Sequence, residues 1–225
     1  MARTPLAPAA PLTLSSKTRP RADRPPTPPS VESLTATQAE RRDRIVRTAS
    51  ALLEQHTYEA IQMRDVAEHA QVALGTVYRY FASKEHLFAT VLVSWAASMS
   101  DGISRSPLRG DSVATRLEDV YGRAIDAFER RPEFYRLFVA VESTTDPHAR
   151  SLHTAFVAAT SGQLRAPLDG LDTADDVAMV LGSVLATSLR AWALGQVDIH
   201  AVRANVAAAI ALLPLLDASG TAGLR

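Results

Sequence analysis

The sequence predicts an all-α protein of about nine helices: an N-terminal three-helix, helix-turn-helix head and a larger C-terminal helical body. Three observations point there. From residue 37 onward apolar residues recur every three or four positions, the spacing of a helix that buries one side. Helix-start and helix-stop residues punctuate that pattern at helix-length intervals, among them Ser83, Arg131-Pro132, Asp146-Pro147, Gly195 and Asp198. Finally, Gln62–His86, QMRDVAEHAQVALGTVYRYFASKEH, reads as two short helices joined by a tight turn and followed by a capped third.

Composition narrows the class further. With 225 residues and 47% hydrophobic content there is ample material for a core. The absence of cysteine excludes a disulfide framework and thiolate metal sites. The uncharged apolar runs Val177–Leu189 and Val206–Leu216 fall short of the roughly 20 residues a membrane span needs. Pro5, Pro8 and Pro11 interrupt any apolar signal region, so a cytoplasmic protein is expected. The formal net charge is zero, but five basic residues and one acid lie within 1–30, against twelve basic and fifteen acidic within 101–225. Residues 31–100 balance at seven basic against eight acidic, so any nucleic-acid footprint there depends on placement.

Residues 1–36 hold eight of the thirteen prolines and show no apolar period, which predicts a disordered arm. Its Lys17, Arg19, Arg21 and Arg24 offer nonspecific attraction to phosphate, and its PxxP spacings offer a polyproline ligand; a plain flexible arm explains both. Thr37-Gln38-Ala39-Glu40 predicts a capping box at the start of the first helix, with Ile45, Ala49, Leu52, Leu53 and His56 as its buried stripe. Arg41, Arg42 and Arg44 cluster in its early turns, where cations oppose the helix dipole unless an anion lies near; the alternative is a solvated face.

The second helix is predicted over Met63–Ala70 and the third over Leu74–Phe81, with Gln71-Val72-Ala73 as the turn. Val66, Ala67, Ala70, Val77 and Phe81 face inward, and the small alanines permit a close crossing. Leu74, Gly75, Thr76, Tyr78, Arg79 and Tyr80 are left on other faces of a helix too short to stand alone, a layout that favours recognition over packing. Ser83 is a good cap for the fourth helix, and Lys84 beside that helix start completes a cradle for phosphate. This helix is expected to run through Leu87, Phe88, Val91, Leu92, Trp95 and Met99 to about Ser100.

EAIQMRDVAEHAQVALGTVYRYFASKEHLF, preceded by RRDRIVRTASALLEQH, resembles the DNA-binding domain of TetR-family transcriptional regulators. The resemblance covers about residues 40–90 without a gap. It implies that the third helix enters the major groove of double-stranded operator DNA. Thr76, Arg79, Tyr80 and Lys84 would lie near phosphates, Leu74, Gly75 and Tyr78 near base edges, and Gln62 and Arg64 would reach DNA from the start of the second helix. Gln71 stands where the family favours a turn glycine, Ala73 where a helix cap is common, and Gln62 where Ser or Thr is frequent. The chain then divides into a Pro-rich arm (1–36), a DNA-binding domain (37–82), an effector-binding and dimerisation domain (83–217) and a tail (218–225).

In the body, helices are expected over Ser112–Arg130, Glu133–Glu142 and from Asp146-Pro147 to about Ala166. Thr173 to Asp176 should cap the eighth helix and Asp198 the ninth. The aromatic surplus of the middle helices is either core or the wall of a cavity for a small apolar effector, with Trp95, Met99, Phe128, Phe134, Phe138, Phe156 and Trp192 as lining candidates. Apolar bands and runs of alanine on helices 8 and 9 exceed what one side of a monomer core needs, which points to a homodimer through those helices. The VALGT lead-in to YRYF, the QMR start of the second helix and Trp192 ahead of a Val/Ala/Leu-rich last helix are similar to the KstR-type steroid-catabolism repressors, which implies a steroid or acyl thioester as effector.

An enzyme is the principal rival reading. The chain holds no P-loop, dinucleotide fingerprint, GxSxG elbow or HExxH, and no catalytic residue or cofactor is expected. Glu142, Asp146, His148 and His153 are the nearest approach to a metal set, but His148 and His153, five apart, do not share a helical face. A protein-only scaffold would leave Arg64, Thr76, Tyr78 and Lys84 unexplained. The expectation is therefore a ligand-responsive DNA-binding repressor.

Overall fold

The computed structural model describes residues 28–105 and 107–220. Among the described residues there are nine α-helices and no strand: α1 (Ala36–Leu53), α2 (Met63–His69), α3 (Leu74–Tyr80), α4 (Lys84–Arg105), α5 (Val113–Arg130), α6 (Pro132–Glu142), α7 (Pro147–Arg165), α8 (Ala174–Ala193) and α9 (Ile199–Gly220). The greater part of the Pro-rich arm, the last five residues, Ser106 and the side chain of Met99 lie outside the described residues.

Helix α1 starts earlier than the Thr37 pattern suggests. Thr35 Oγ1 accepts from the Gln38 amide at 3.4 Å, and Gln38 Oε1 accepts from the Thr35 amide at 3.0 Å. Two Thr-x-x-Gln/Glu patterns overlap here, and the earlier one keeps two more residues helical. His56 lies beyond the end of α1 and is exposed, so the buried stripe stops at Leu53. Helix α4 continues past Gly102 to Arg105, because a glycine inside a helix costs only about 1 kcal/mol and does not by itself end it. Thr173 does not cap α8: its φ of −93° and ψ of 9° take it out of the extended conformation that a capping hydroxyl requires. Asp198 does cap α9, accepting the Ala201 amide at 2.8 Å.

The head is a small bundle in which Ile45, Leu53, Val66, Val77 and Phe81 are fully enclosed. Its α2 is closed by a turn at Gln71, whose φ of 54° is the sole left-handed value among described non-glycine residues. The Gln71 amide donates to the Glu68 carbonyl and the Val72 amide to the Ala67 carbonyl, each at 3.0 Å, the two bonds of a Schellman ending. Helix α4 belongs to head and body at once. It packs on α1 at one side and on α6 and α7 at the other, with Leu87, Phe88 and Leu92 wholly buried. In the body α9 lies against α8 and α5, and Arg203 of α9 bonds both Asp126 and Glu129 of α5 at 2.6 Å.

Candidate functional site: the α3 face and an apolar cavity

The residues expected to meet DNA fall into three groups by exposure. Gln62, Arg64, Gly75, Tyr78 and Arg79 are exposed, and Leu74, Thr76 and Lys84 are half-buried. Tyr80 is the exception. It is 3% exposed and its hydroxyl has no partner, so it packs in the head instead of lying on an open face. Val77 and Tyr80 are three apart and share one side of α3, whereas Tyr78 and Arg79 point away from it.

Ala73 gives α3 no side-chain cap, and the Thr76 amide donates to the Ala73 carbonyl at 2.8 Å. A Cβ built at Gly75 meets nothing within 4 Å, so no neighbour inside the chain requires glycine there. At the start of α2, the Asp65 carboxylate accepts the Gln62 amide at 2.8 Å. That bond fixes the backbone from which Gln62 and Arg64 project.

Lys84 is held in place from inside. Its Nζ donates to the Glu59 carbonyl at 3.4 Å and lies 4.3 Å from the centroid of the Tyr58 ring. Burial lowers the ammonium pKa, an effect opposed by Glu59, Glu85 and Asp65. Ser83 caps α4 as expected, accepting the His86 amide at 2.9 Å. Two arginines of α1 are likewise occupied: Arg44 Nε donates to the Ala70 carbonyl at 3.1 Å, and the Arg42 guanidinium sits 5.3 Å over the Phe81 ring.

Where α5, α6, α7 and α8 meet, a cavity of about 340 Å³ is lined by Phe128, Tyr135, Phe138, Phe156, Leu164 and Leu185, with Thr160, Ser161, Gln163 and Ser183 among its polar groups. Of the seven lining residues expected from sequence, Phe128, Phe138 and Phe156 are there. Phe134 is core, packed 5.0 Å from Trp95, because it lies about 100° around α6 from Tyr135. Trp192 sits in the last turn of α8, past the part of that helix that forms the wall. Trp95 instead lines a separate groove of about 590 Å³ between α1, α4 and α5, beside Arg47, Glu54 and Arg131.

Aromatic contacts nevertheless connect the two regions. Trp95 to Phe128, Phe128 to Tyr135, Tyr135 to Phe138 and Phe138 to Phe156 lie at centroid separations of 5.1, 5.0, 5.6 and 5.4 Å. The Tyr135 hydroxyl donates to the Ala186 carbonyl at 2.9 Å, tying α6 to α8, and burial pushes its pKa up to about 12. Tyr135 and Gly182 are lining residues the sequence reading missed. Tyr135 belongs to the recognised aromatic surplus, but nothing in the sequence sets it apart from its neighbours.

The four residues considered as a metal set have other partners. Glu142 pairs with Arg190, Asp146 caps α7 through the Ala149 amide at 2.9 Å, His148 stacks on His86, and His153 stacks on Phe138. Among the described residues no group of three or more His, Cys, Asp or Glu could hold an ion. No described helix is long and apolar enough to cross a membrane.

Comparison with known proteins agrees with this architecture. Residues 45–91 match the family described as bacterial regulatory proteins, tetR family. The HTH-type transcriptional repressor KstR of Mycolicibacterium smegmatis is 33% identical over 185 residues, covering 78% of this chain and 88% of the relative. A TetR transcriptional regulator from Rhodococcus sp. RHA1 superposes with a TM-score of 0.67 at 24% identity, over 79% of this chain and 97% of the other. The transcriptional regulator FadR from Bacillus subtilis, solved in complex with stearoyl-CoA, superposes with a TM-score of 0.56 at 16% identity, over 75% and 96% of the two chains. An all-helical chain with a helix-turn-helix head, a cavity-bearing body and this extent of identity belongs to the TetR family of transcriptional regulators and is KstR-like within it.

Proposed function

We propose that this ligand-responsive repressor reads a near-palindromic operator through the α3 faces of a homodimer and releases it when an apolar effector fills the cavity between α5 and α8. The single observation that carries the reading is that cavity, walled mainly by aromatic and aliphatic side chains in a body whose α4 is shared with the head. A structural neighbour crystallised with stearoyl-CoA supports an acyl thioester as the effector class, and a steroid thioester is the second candidate carried by the sequence resemblance. At about 340 Å³ the cavity is at the small end of ligand pockets, so the polar head of such a thioester stays outside it.

In this reading Gln62, Arg64, Thr76, Arg79 and Lys84 contact phosphates, while Leu74, Gly75 and Tyr78 approach base edges. Tyr80 supports α3 from within. Dimerisation through α8 and α9 is supported by Met179, Val180, Leu194 and Leu212, which are 64%, 51%, 64% and 57% exposed, and by the exposed alanines 204, 207, 208 and 211 of α9.

The test begins with selection of genomic fragments bound by the full chain, then follows affinity for the recovered duplex by anisotropy at fixed salt. Stearoyl-CoA and a steroid thioester are titrated in turn. A loss of operator affinity of about fivefold or more is expected for the matching class. Saturation of the cavity with operator affinity unchanged refutes the effector reading. Tyr78→Ala separates base from phosphate contact: a changed sequence preference is expected, and a uniform loss across sites contradicts it.

A further inference from the structure

We infer that Asp146 and His148, at the N-terminal end of α7, are positioning residues through which the state of the cavity reaches α3. The inference rests on the reading that the cavity is the effector site. Helix α7 is continuous from Pro147 to Arg165, and Phe156, Thr160 and Leu164 along it form cavity wall. From Phe156 to His148 is about 12 Å of helix at 1.5 Å per residue, so a shift at the cavity moves both ends of one stiff rod.

The far end of that rod is docked on the start of α4. The His148 and His86 rings stack at a centroid separation of 4.9 Å with 18° between planes. The Ser83 side chain bonds to the Asp146 carboxylate. His86 is only 9% exposed, and its Nδ1 accepts the Ala82 amide at 3.2 Å. Its ring also meets Phe81 edge-on at 5.4 Å, and the Phe81 amide donates to the Val77 carbonyl at 2.9 Å, closing α3. From Asp146 and His148 to the last turn of α3 there are thus two steps, Ser83–His86 and then Phe81–Ala82.

The chemistry of this joint suits a switch better than a greasy contact would. Aliphatic surfaces slide, whereas a ring stack and a hydrogen bond to a carboxylate are lost within a small displacement. Burial, then the adjoining His148 and the more remote Arg42, lower the His86 pKa to about 4 against the opposing pull of Asp146. At neutral pH His86 is therefore uncharged, and its stack on His148 carries no penalty from a charge of its own.

A substitution that fills the cavity stands in for effector and removes the need to know it. Gly182 lines the cavity, and a Cβ there meets nothing within 4 Å, so Gly182→Leu places a side chain in open space. Operator affinity is measured for the full chain carrying Gly182→Leu in the wild-type, His148→Ala, His148→Phe and Asp146→Ser backgrounds, each against its own parent, with melting curves as the folding control. Ser keeps the cap of α7 but is too short to hold Ser83 as Asp146 does.

The expected result is that filling weakens operator binding about fivefold or more in the wild-type and His148→Phe backgrounds. In His148→Ala and Asp146→Ser the same substitution should change it less than about twofold. A merely structural role would alter parental affinity or melting and leave the filling ratio intact. An undiminished ratio in both of those backgrounds overturns the joint alone. No effect of filling in the wild type overturns the regulatory cavity, and the joint with it.

Discussion

Gln71→Gly is expected to stabilise the protein, by an amount that follows from one dihedral angle. Gln71 has a φ of 54° and occupies the position of a Schellman ending that glycine usually fills. A left-handed conformation costs an L-residue about 1–2 kcal/mol, and the greater freedom of glycine in the unfolded chain gives back roughly 0.5–1 kcal/mol of that gain. The net stabilisation is about 0.5–1 kcal/mol, which for a chain of this size raises Tm by roughly 1–4 °C. Helix α8 supplies the mirror experiment. Gly195 has a φ of 70°, its amide donates to the Trp192 carbonyl and the Gln196 amide to the Ala191 carbonyl, both at 2.9 Å. A Cβ at Gly195 meets nothing within 4 Å, so Gly195→Ala introduces backbone strain with no clash and should destabilise by about 1 kcal/mol. Urea unfolding of both variants at one protein concentration, with the slope m unchanged, reads the two effects directly. Midpoints that move in the same direction, or a lower midpoint for Gln71→Gly, refute the backbone argument.

The remaining expectations concern the head and its seam with the body. Lys84→Ala should weaken binding to every duplex and reduce the salt slope by about one per subunit, read from affinities over a salt series; unchanged affinity removes the phosphate role. Gly75→Ala should stabilise α3 by about 0.5–1 kcal/mol in thermal unfolding yet weaken operator binding, since nothing within the chain crowds that position. With Arg64, Arg79 and Lys84 as the main cations around α3, about six phosphates are neutralised per dimer, for a slope of log affinity on log salt near −5; a much steeper slope that falls when residues 1–30 are deleted assigns the excess to the arm. Because the His86 pKa is lowered in the fold to about 4, the folded chain binds fewer protons than the unfolded one below the ordinary value of 6.5. The stability that His86 contributes is therefore complete above pH 6.5 and is lost as pH falls toward 4, on the order of 3 kcal/mol in all, and His86→Phe should flatten the decline in chemical unfolding over that window.

The head was legible in the sequence because its signals are local. The tight turn, the Ser83 cap and the inward set Val66, Ala67, Val77 and Phe81 are each decided within a few residues, and the structure keeps them all. Even the strain at Gln71 was readable, since a Schellman ending demands a left-handed residue whatever side chain occupies it. The cavity was half legible for the complementary reason. An aromatic surplus marks α5 to α7, but whether Phe134 or Tyr135 turns to the open space depends on the rotation of α6 against α5 and α8. Tyr80 illustrates the same limit on a seven-residue helix. Its sequence context is continuous with the exposed Tyr78 and Arg79, and only the position of α1 and α2 against α3 decides that its ring is enclosed.

Placement of charge, more than its amount, explains how a chain of zero net charge can read DNA. Of the three arginines clustered at the start of α1, two hold groups of the head: the exposed Arg44 through its Nε and the half-buried Arg42 through its guanidinium. Arg44 satisfies the carbonyl of Ala70, the residue that ends α2 just before the strained turn, and Arg42 covers Phe81, the residue that ends α3. Arg42 lies with its side chain 17% exposed beside Asp43 at 3.7 Å, and burial lowers its pKa, so its charge is turned toward the protein. Both ends of the recognition unit are thus fastened by cations of α1, and Lys84 is fastened to the loop after α1 through Glu59 and Tyr58. A seven-residue helix has no stability of its own, and a rigid mount lets a few exposed groups keep their geometry without a dense basic patch.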